Sequence, residues 1–196
     1  MKVSKTAIIV TASTLFSITA FAQSTGSEVQ RDINQQQRIE QGLKSGELNT
    51  KEAARLEGEE ARVERMQANA LKDGKLSPAE AQRIDRAQNK VSGDIAREKH
   101  DAQKGDPNSA SSQRMQADVQ RDVNQQKRIE QGVQSGQLTN REAGKLERGQ
   151  AHDNHLQASA GTDGQVGAKE QRRIQRNENR QSRRIHHEKH DRQRQV

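Results

Sequence analysis

Apolar residues recur along this chain at the spacing of one face of a helix. Val29, Ile33, Ile39 and Leu43 form a first stripe, which stops at the turn signal Ser45-Gly46. A second stretch opens with Asn49 or Thr50 as N-cap, carries Ala53, Leu56, Val63, Met66 and Ala70, and closes at Asp73-Gly74. The third begins with Ser77 as N-cap, Pro78 at the first helical position and Glu80 three residues after the cap, a capping box. Ile84, Ala87, Val91 and Ile95 then make its apolar stripe. Short amphipathic helices joined by tight turns predict a small antiparallel bundle.

The whole pattern returns 90 residues later. Val29-Gln30-Arg31-Asp32 is matched by Val119-Gln120-Arg121-Asp122, Asp73-Gly74 by Asp163-Gly164, and Glu98-Lys99-His100-Asp101 by Glu188-Lys189-His190-Asp191. A gapless repeat of this length reads as a duplication. The expected fold is all-α: two tandem three-helix units of antiparallel amphipathic helices, over 23–104 and 117–196, joined by a flexible linker at 105–116. The second copy keeps the turns and loses apolar residues. Asp153 stands for Val63, Gly161 for Leu71, Asn177 for Ala87 and Gln181 for Val91. A buried Val contributes about 1.5 to 3 kcal/mol against a domain stability of about 5 to 15, so the second unit is expected to be marginal or disordered beyond Gly164.

The first 22 residues read differently. Lys2 and Lys5 precede an apolar run from Thr6 to Thr19, followed by Ala20-Phe21-Ala22, the layout of a secretory signal peptide cleaved after Ala22. Periplasmic or secreted location follows as an expectation, with no integral membrane segment left after cleavage. Both Phe residues lie in this leader and the chain has no Trp, Tyr or Cys. The core must therefore be built from Leu, Ile, Val, Met and Ala, without disulfides or thiolate sites. At 28% hydrophobic and 31% charged residues, pattern rather than bulk hydrophobicity has to specify the fold.

Charge divides unevenly between the copies. Residues 27–105 carry 15 basic and 15 acidic side chains, whereas 107–196 carry 17 and 11. The excess gathers at Arg172, Arg173, Arg176, Arg180, Arg183, Arg184, Arg192 and Arg194. Such a cluster suits phosphate-rich polyanions: anionic lipid, lipopolysaccharide phosphates or extracellular nucleic acid. With no aromatic residue to stack on bases, sequence-specific recognition of nucleic acid is not expected.

Two other patterns suggest a divalent metal ion. His186 and His190 are four apart on a helix, as are His187 and Asp191, so each pair could reach one transition-metal ion. The four turns resemble EF-hand loops: with each glycine at loop position six, Gly46, Gly74, Gly136 and Gly164 place Glu52, Glu80, Glu142 and Glu170 at position twelve. That resemblance implies Ca²⁺ ligation through residues such as Asp73, Glu80, Asp163 and Glu170. The pattern departs from the family at positions one and three, where Gln41, Asn69, Gln131 and Ser159, and Leu43, Leu71, Val133 and Gly161, replace carboxylates.

Catalysis has little support. Glu57, Glu60 and Glu64 share a helical face, which reads as a solvated surface. There is no thiol, phosphate-binding Gly-rich loop or nucleophile elbow. The leading expectation is an exported, non-enzymatic metal-binding protein. An envelope interaction or stress protein that binds polyanions is the alternative. A further possibility is docking of a protein partner through an exposed Gln-rich helix at Gln35, Gln36 and Gln37.

Overall fold

The structure, a computed structural model, describes residues 16–191, with side chains from residue 25 onward. The expected leader over 1–22, its cleavage point, Arg192 and Arg194 thus lie outside the described side chains. Among the described residues six helices follow one another: α1 (Phe16–Ser45), α2 (Thr50–Ala70), α3 (Pro78–His100), α4 (Ala110–Gln134), α5 (Asn140–Ala160) and α6 (Ala168–His190). None is long and apolar enough to cross a membrane. A single 3-10 turn, Leu71–Asp73, follows α2.

Local chemistry sets the helix ends where the pattern placed them. Asn49 caps α2 and Ser77 caps α3, each in a full capping box with Glu52 and Glu80. Thr139 and Glu142 do the same for α5. Gly46, Gly74, Gly136 and Gly164 all take positive φ (74°, 89°, 70° and 84°), a backbone conformation that a side chain would strain.

The two copies do not sit side by side as separate bundles. α2 packs along α5 and α1 along α4, while α3 and α6 cover the outside against their own copies. One apolar core runs through both copies, from Val29, Ile33 and Leu56 to Ile129, Leu146, Ile174 and Ile185. The contacts repeat at the same offset. Arg31 reaches Asn89 and Arg121 reaches Asn179; Leu48 N–H donates to Gly42 O, and Leu138 N–H to Gly132 O. Glu64 and Asn154, which occupy equivalent positions, touch each other: the Asn154 amide donates to both Glu64 oxygens at 3.0 Å. Equivalent residues in mutual contact straddle a local twofold axis, so this axis passes between α2 and α5.

Two expectations change. The segment read as a flexible linker over 105–116 is mostly helix: Ser109 caps α4, and Gly105 N–H donates to Gly46 O at 2.9 Å. The second copy does not fray after Gly164, because its lost apolar residues are replaced by matched polar ones. Asp153 accepts from the Asn177 amide where the first copy sets Val63 and Ala87. Gln181 fills the space where Gly149 lacks a side chain and donates to Leu146 O at 2.8 Å. A buried hydrogen bond replaces a methyl contact at each place, with Asp153 Oδ2 and Gln181 Oε1 left buried without a donor.

Candidate functional site

The most unusual feature of the interior is its carboxyl content. Glu57, Glu60 and Glu64, read as a solvated face, are at most 1% exposed, because α2 turns that face onto α5. Asp32, Asp122, Glu147, Asp153 and Glu178 join them with no exposed surface, and Gln35 and Gln36, expected on an exposed docking helix, are buried too. Of that Gln-rich trio only Gln37 faces solvent.

Amides hold these acids. Gln36 donates to Glu57 at 2.8 Å, Gln126 to Glu147 at 3.1 Å, Gln157 to Asp122 at 2.5 Å and Gln171 to Asp118 at 2.6 Å. In all four pairs the second carboxyl oxygen and the amide oxygen are buried without a donor. A proton on the carboxyl supplies the donor that such a pair lacks. Electrostatics agrees. Burial pushes Glu57 and Glu147 up to about 8, Asp118 and Asp153 to about 7, and Glu178 to about 9. Arg121, with Nε 3.3 Å from Glu178 Oε2, does not offset that burial. Glu60, Glu64 and Asp122 are raised well above their ordinary values, first by burial and then by neighbouring carboxylates, chiefly Asp32 on Glu60, Glu147 on Glu64 and Glu178 on Asp122. Burial thus favours the protonated form of these acids, and Glu57, Glu147, Asp122 and Asp118 each sit against a side-chain amide.

The sequence-derived metal ligands are dispersed. Asp73 Oδ1 and Asp163 Oδ1 each accept the backbone N–H two residues on, and Glu80 and Glu170 are occupied by capping Ser77 and Gly167. His186 and His190 stack with ring centroids 4.2 Å apart, and His190 Nδ1 sits 2.7 Å from His186 O, which engages the nitrogen on that side of the ring. His187 is exposed. Asp191 meets carboxylates rather than imidazoles: Glu142, Glu188 and Asp191 bring oxygens within 4.8 Å of one another, and Glu52, Glu98 and Asp101 repeat the group in the first copy. Each joins the first turn of one helix to the end of another. Glu52 Oε1 and Glu142 Oε1 are buried without a hydrogen-bond partner, their other oxygens being held by the caps. Arg55 pairs with Glu98, and Lys145 lies 3.7 Å from Glu188.

The arginines of α6 are exposed at 172, 173, 176, 180, 183 and 184, and among the described residues none has a carboxylate within ion-pair distance. Arg180 and Arg184 also border a groove of about 400 Å³ between α5 and α6, shared with Lys145, Arg148, His152 and Asn177 and floored by Gly149 and Gln181. Lys145, Arg148 and His152 were not singled out as anion ligands in the sequence, because Lys145 and Arg148 are scattered among acids along α5. Burial first, then His155, Arg173, Arg180 and Arg184, lowers the His152 pKa. A larger cavity of about 700 Å³ beside α2 is charge-balanced, with Lys51, Arg55 and Arg62 against Glu52, Glu59 and Glu98.

No protein family, curated protein or solved structure matches this chain.

Proposed function

We propose that this is an exported, non-enzymatic binding protein for phosphate-rich polyanions, with α6 and the adjoining face of α5 as its contact surface. One observation carries the reading: six exposed arginines stand along α6 without a carboxylate partner among the described residues. Guanidinium groups present planar donor forks suited to phosphate oxygens, and unpaired ones bind without first breaking an internal ion pair. Export rests on the leader pattern of residues 1–22. Titrating residues 23–196 with long-chain inorganic polyphosphate by calorimetry is expected to show an affinity that falls about a hundredfold or more between 50 and 300 mM NaCl. Binding that is insensitive to salt, or none at 50 mM, would sink the reading.

Divalent-cation binding is the second reading, favoured by the twin carboxylate groups and their partnerless buried oxygens. Three carboxylates suit a hard ion such as Ca²⁺ better than the histidine pair does, since they supply oxygen ligands and negative charge. Calcium at a hundred times its dissociation constant should raise stability by about 2.7 kcal/mol, read as a higher midpoint of thermal unfolding. The combination of Glu98→Gln and Glu188→Gln should abolish that rise. An equal rise in the double variant would locate the effect elsewhere.

A further inference from the structure

We infer that the α5–α6 groove is a discrete seat for a phosphate group, open in the second copy and closed by two acids at the matching place in the first. The inference rests on the polyanion reading and names its binding point. The groove is built from two stripes at identical helical spacing, 145, 148, 149 and 152 on α5 facing 177, 180, 181 and 184 on α6. Subtracting the repeat offset of 90 gives the matching positions in the first copy, where α2 and α3 end at equivalent residues. There Glu59 stands at the position of Gly149 and Asp94 at that of Arg184. Those two acids close the first copy's version with ion pairs: Lys90 lies 3.3 Å from Glu59 Oε2, and both Lys90 and Arg97 hold Asp94.

The second copy loses one acid and turns the other into a base. What remains is Lys145, Arg148, Arg180 and Arg184 around one opening, with His152 beside them and no carboxylate among the lining residues. Two acids stand close by: Glu188 lies 3.7 Å from Lys145 and offsets part of its charge, and Asp153 is buried and held by Asn177. Arg148, Arg180 and Arg184 have no carboxylate at ion-pair distance among the described residues and repel one another until an anion neutralises them, and a pocket of this volume admits a compact oligophosphate or one phosphate of a larger molecule. Free phosphate chains and lipid phosphates offer the same chemistry, so the test includes both.

The probes are inorganic tripolyphosphate, read by calorimetry, and phosphatidylglycerol vesicles, read by co-sedimentation, both with residues 23–196 at low salt. Two variants are compared, each checked for an unchanged far-UV spectrum. A groove variant carries Arg148→Gln and Arg184→Gln; an outer-face variant carries Arg172→Gln and Arg176→Gln. Losing two charged donors should weaken tripolyphosphate binding by about tenfold or more in the groove variant, and less than about threefold in the outer-face variant. In the wild type the His152 ring resonance should titrate at higher pH once tripolyphosphate is bound, because the anion offsets His155, Arg173, Arg180 and Arg184, which lower its pKa. If only vesicles bind and the groove variant loses that binding, the seat holds and its phosphate is a lipid's. Equal losses in the two variants, or an unmoved His152 titration on binding, overturn the groove while leaving the polyanion reading in place. Absence of binding to either probe overturns both.

Discussion

Raising the pH from about 5 to about 10 is expected to unfold this protein, the reverse of ordinary acid denaturation. A buried carboxyl whose folded pKa exceeds its unfolded value holds its proton more tightly when folded. Its stabilising effect is complete below the unfolded value near 4, declines above it, and is lost as pH passes the folded value. Here those folded values are about 7 for Asp118 and Asp153, about 8 for Glu57 and Glu147, and about 9 for Glu178. Each pKa unit of displacement is worth about 1.4 kcal/mol, and a domain is held by about 5 to 15, so several such acids ionising together exceed what holds the fold. Geometry leads to the same place, since ionisation removes the proton that lets the Glu57–Gln36 and Glu147–Gln126 pairs satisfy both partners. Urea midpoints followed by circular dichroism should be highest near pH 4 to 5 and fall steadily through pH 9. Glu57→Gln combined with Glu147→Gln keeps the shape, removes two ionisations and should flatten the curve while raising the midpoint at pH 9. A midpoint that climbs between pH 5 and pH 9 would show the interior to be charged and refute the acid–amide account.

Gly161→Leu is expected to destabilise the protein by about 1 to 3 kcal/mol or more, although it restores the residue found at the matching position of the first copy. The reason is where the two ends of the α2–α5 crossing put their bulk. At one end Leu71 packs onto Gly144, whose absent Cβ would stand 2.9 Å from Leu71 Cβ. At the other end both partners are small and Met115 takes the remaining space: a Cβ on Gly161 would meet Ala54 Cβ at 2.6 Å and Met115 Cε at 2.9 Å. With Ala54 and Met115 already this close, the second end has no room for a leucine. Ala54→Gly added to Gly161→Leu should recover part of the loss, with Met115 accounting for the rest. Chemical denaturation of the single and double variants measures both steps. A neutral or stabilising Gly161→Leu would mean that the two copies do not cross as closely as described.

Residue types alone misled at the centre of the fold and succeeded at its periphery. The capping box at Ser77, a cap at Asn49 or Thr50 and the glycine turns were legible because their chemistry is local, confined to four or five consecutive residues. Glu57, Glu60 and Glu64 were illegible for the opposite reason. Carboxylates on one helical face signal solvent unless another surface covers them, and the cover here is the second copy, far along the chain. The same holds for the cationic groove, whose two stripes lie about 30 residues apart in sequence and meet only when α6 folds onto α5. Asp153 and Asn177 looked like losses when counted singly, and become a hydrogen-bonded pair once their separation in space is known.

The sequence by itself determined that this is an all-helical protein made of a duplicated unit, where the turns between helices of one copy fall, and which copy carries the surplus positive charge. The tertiary structure decided that the copies interlock through α2 and α5, and with that, which polar residues are interior, which acids hold protons and which arginines share an opening. The physical reason is range. Helical periodicity and capping act within a few residues, whereas desolvation and the field of neighbouring charges depend on what lies within several ångströms in space, whatever its place in the chain.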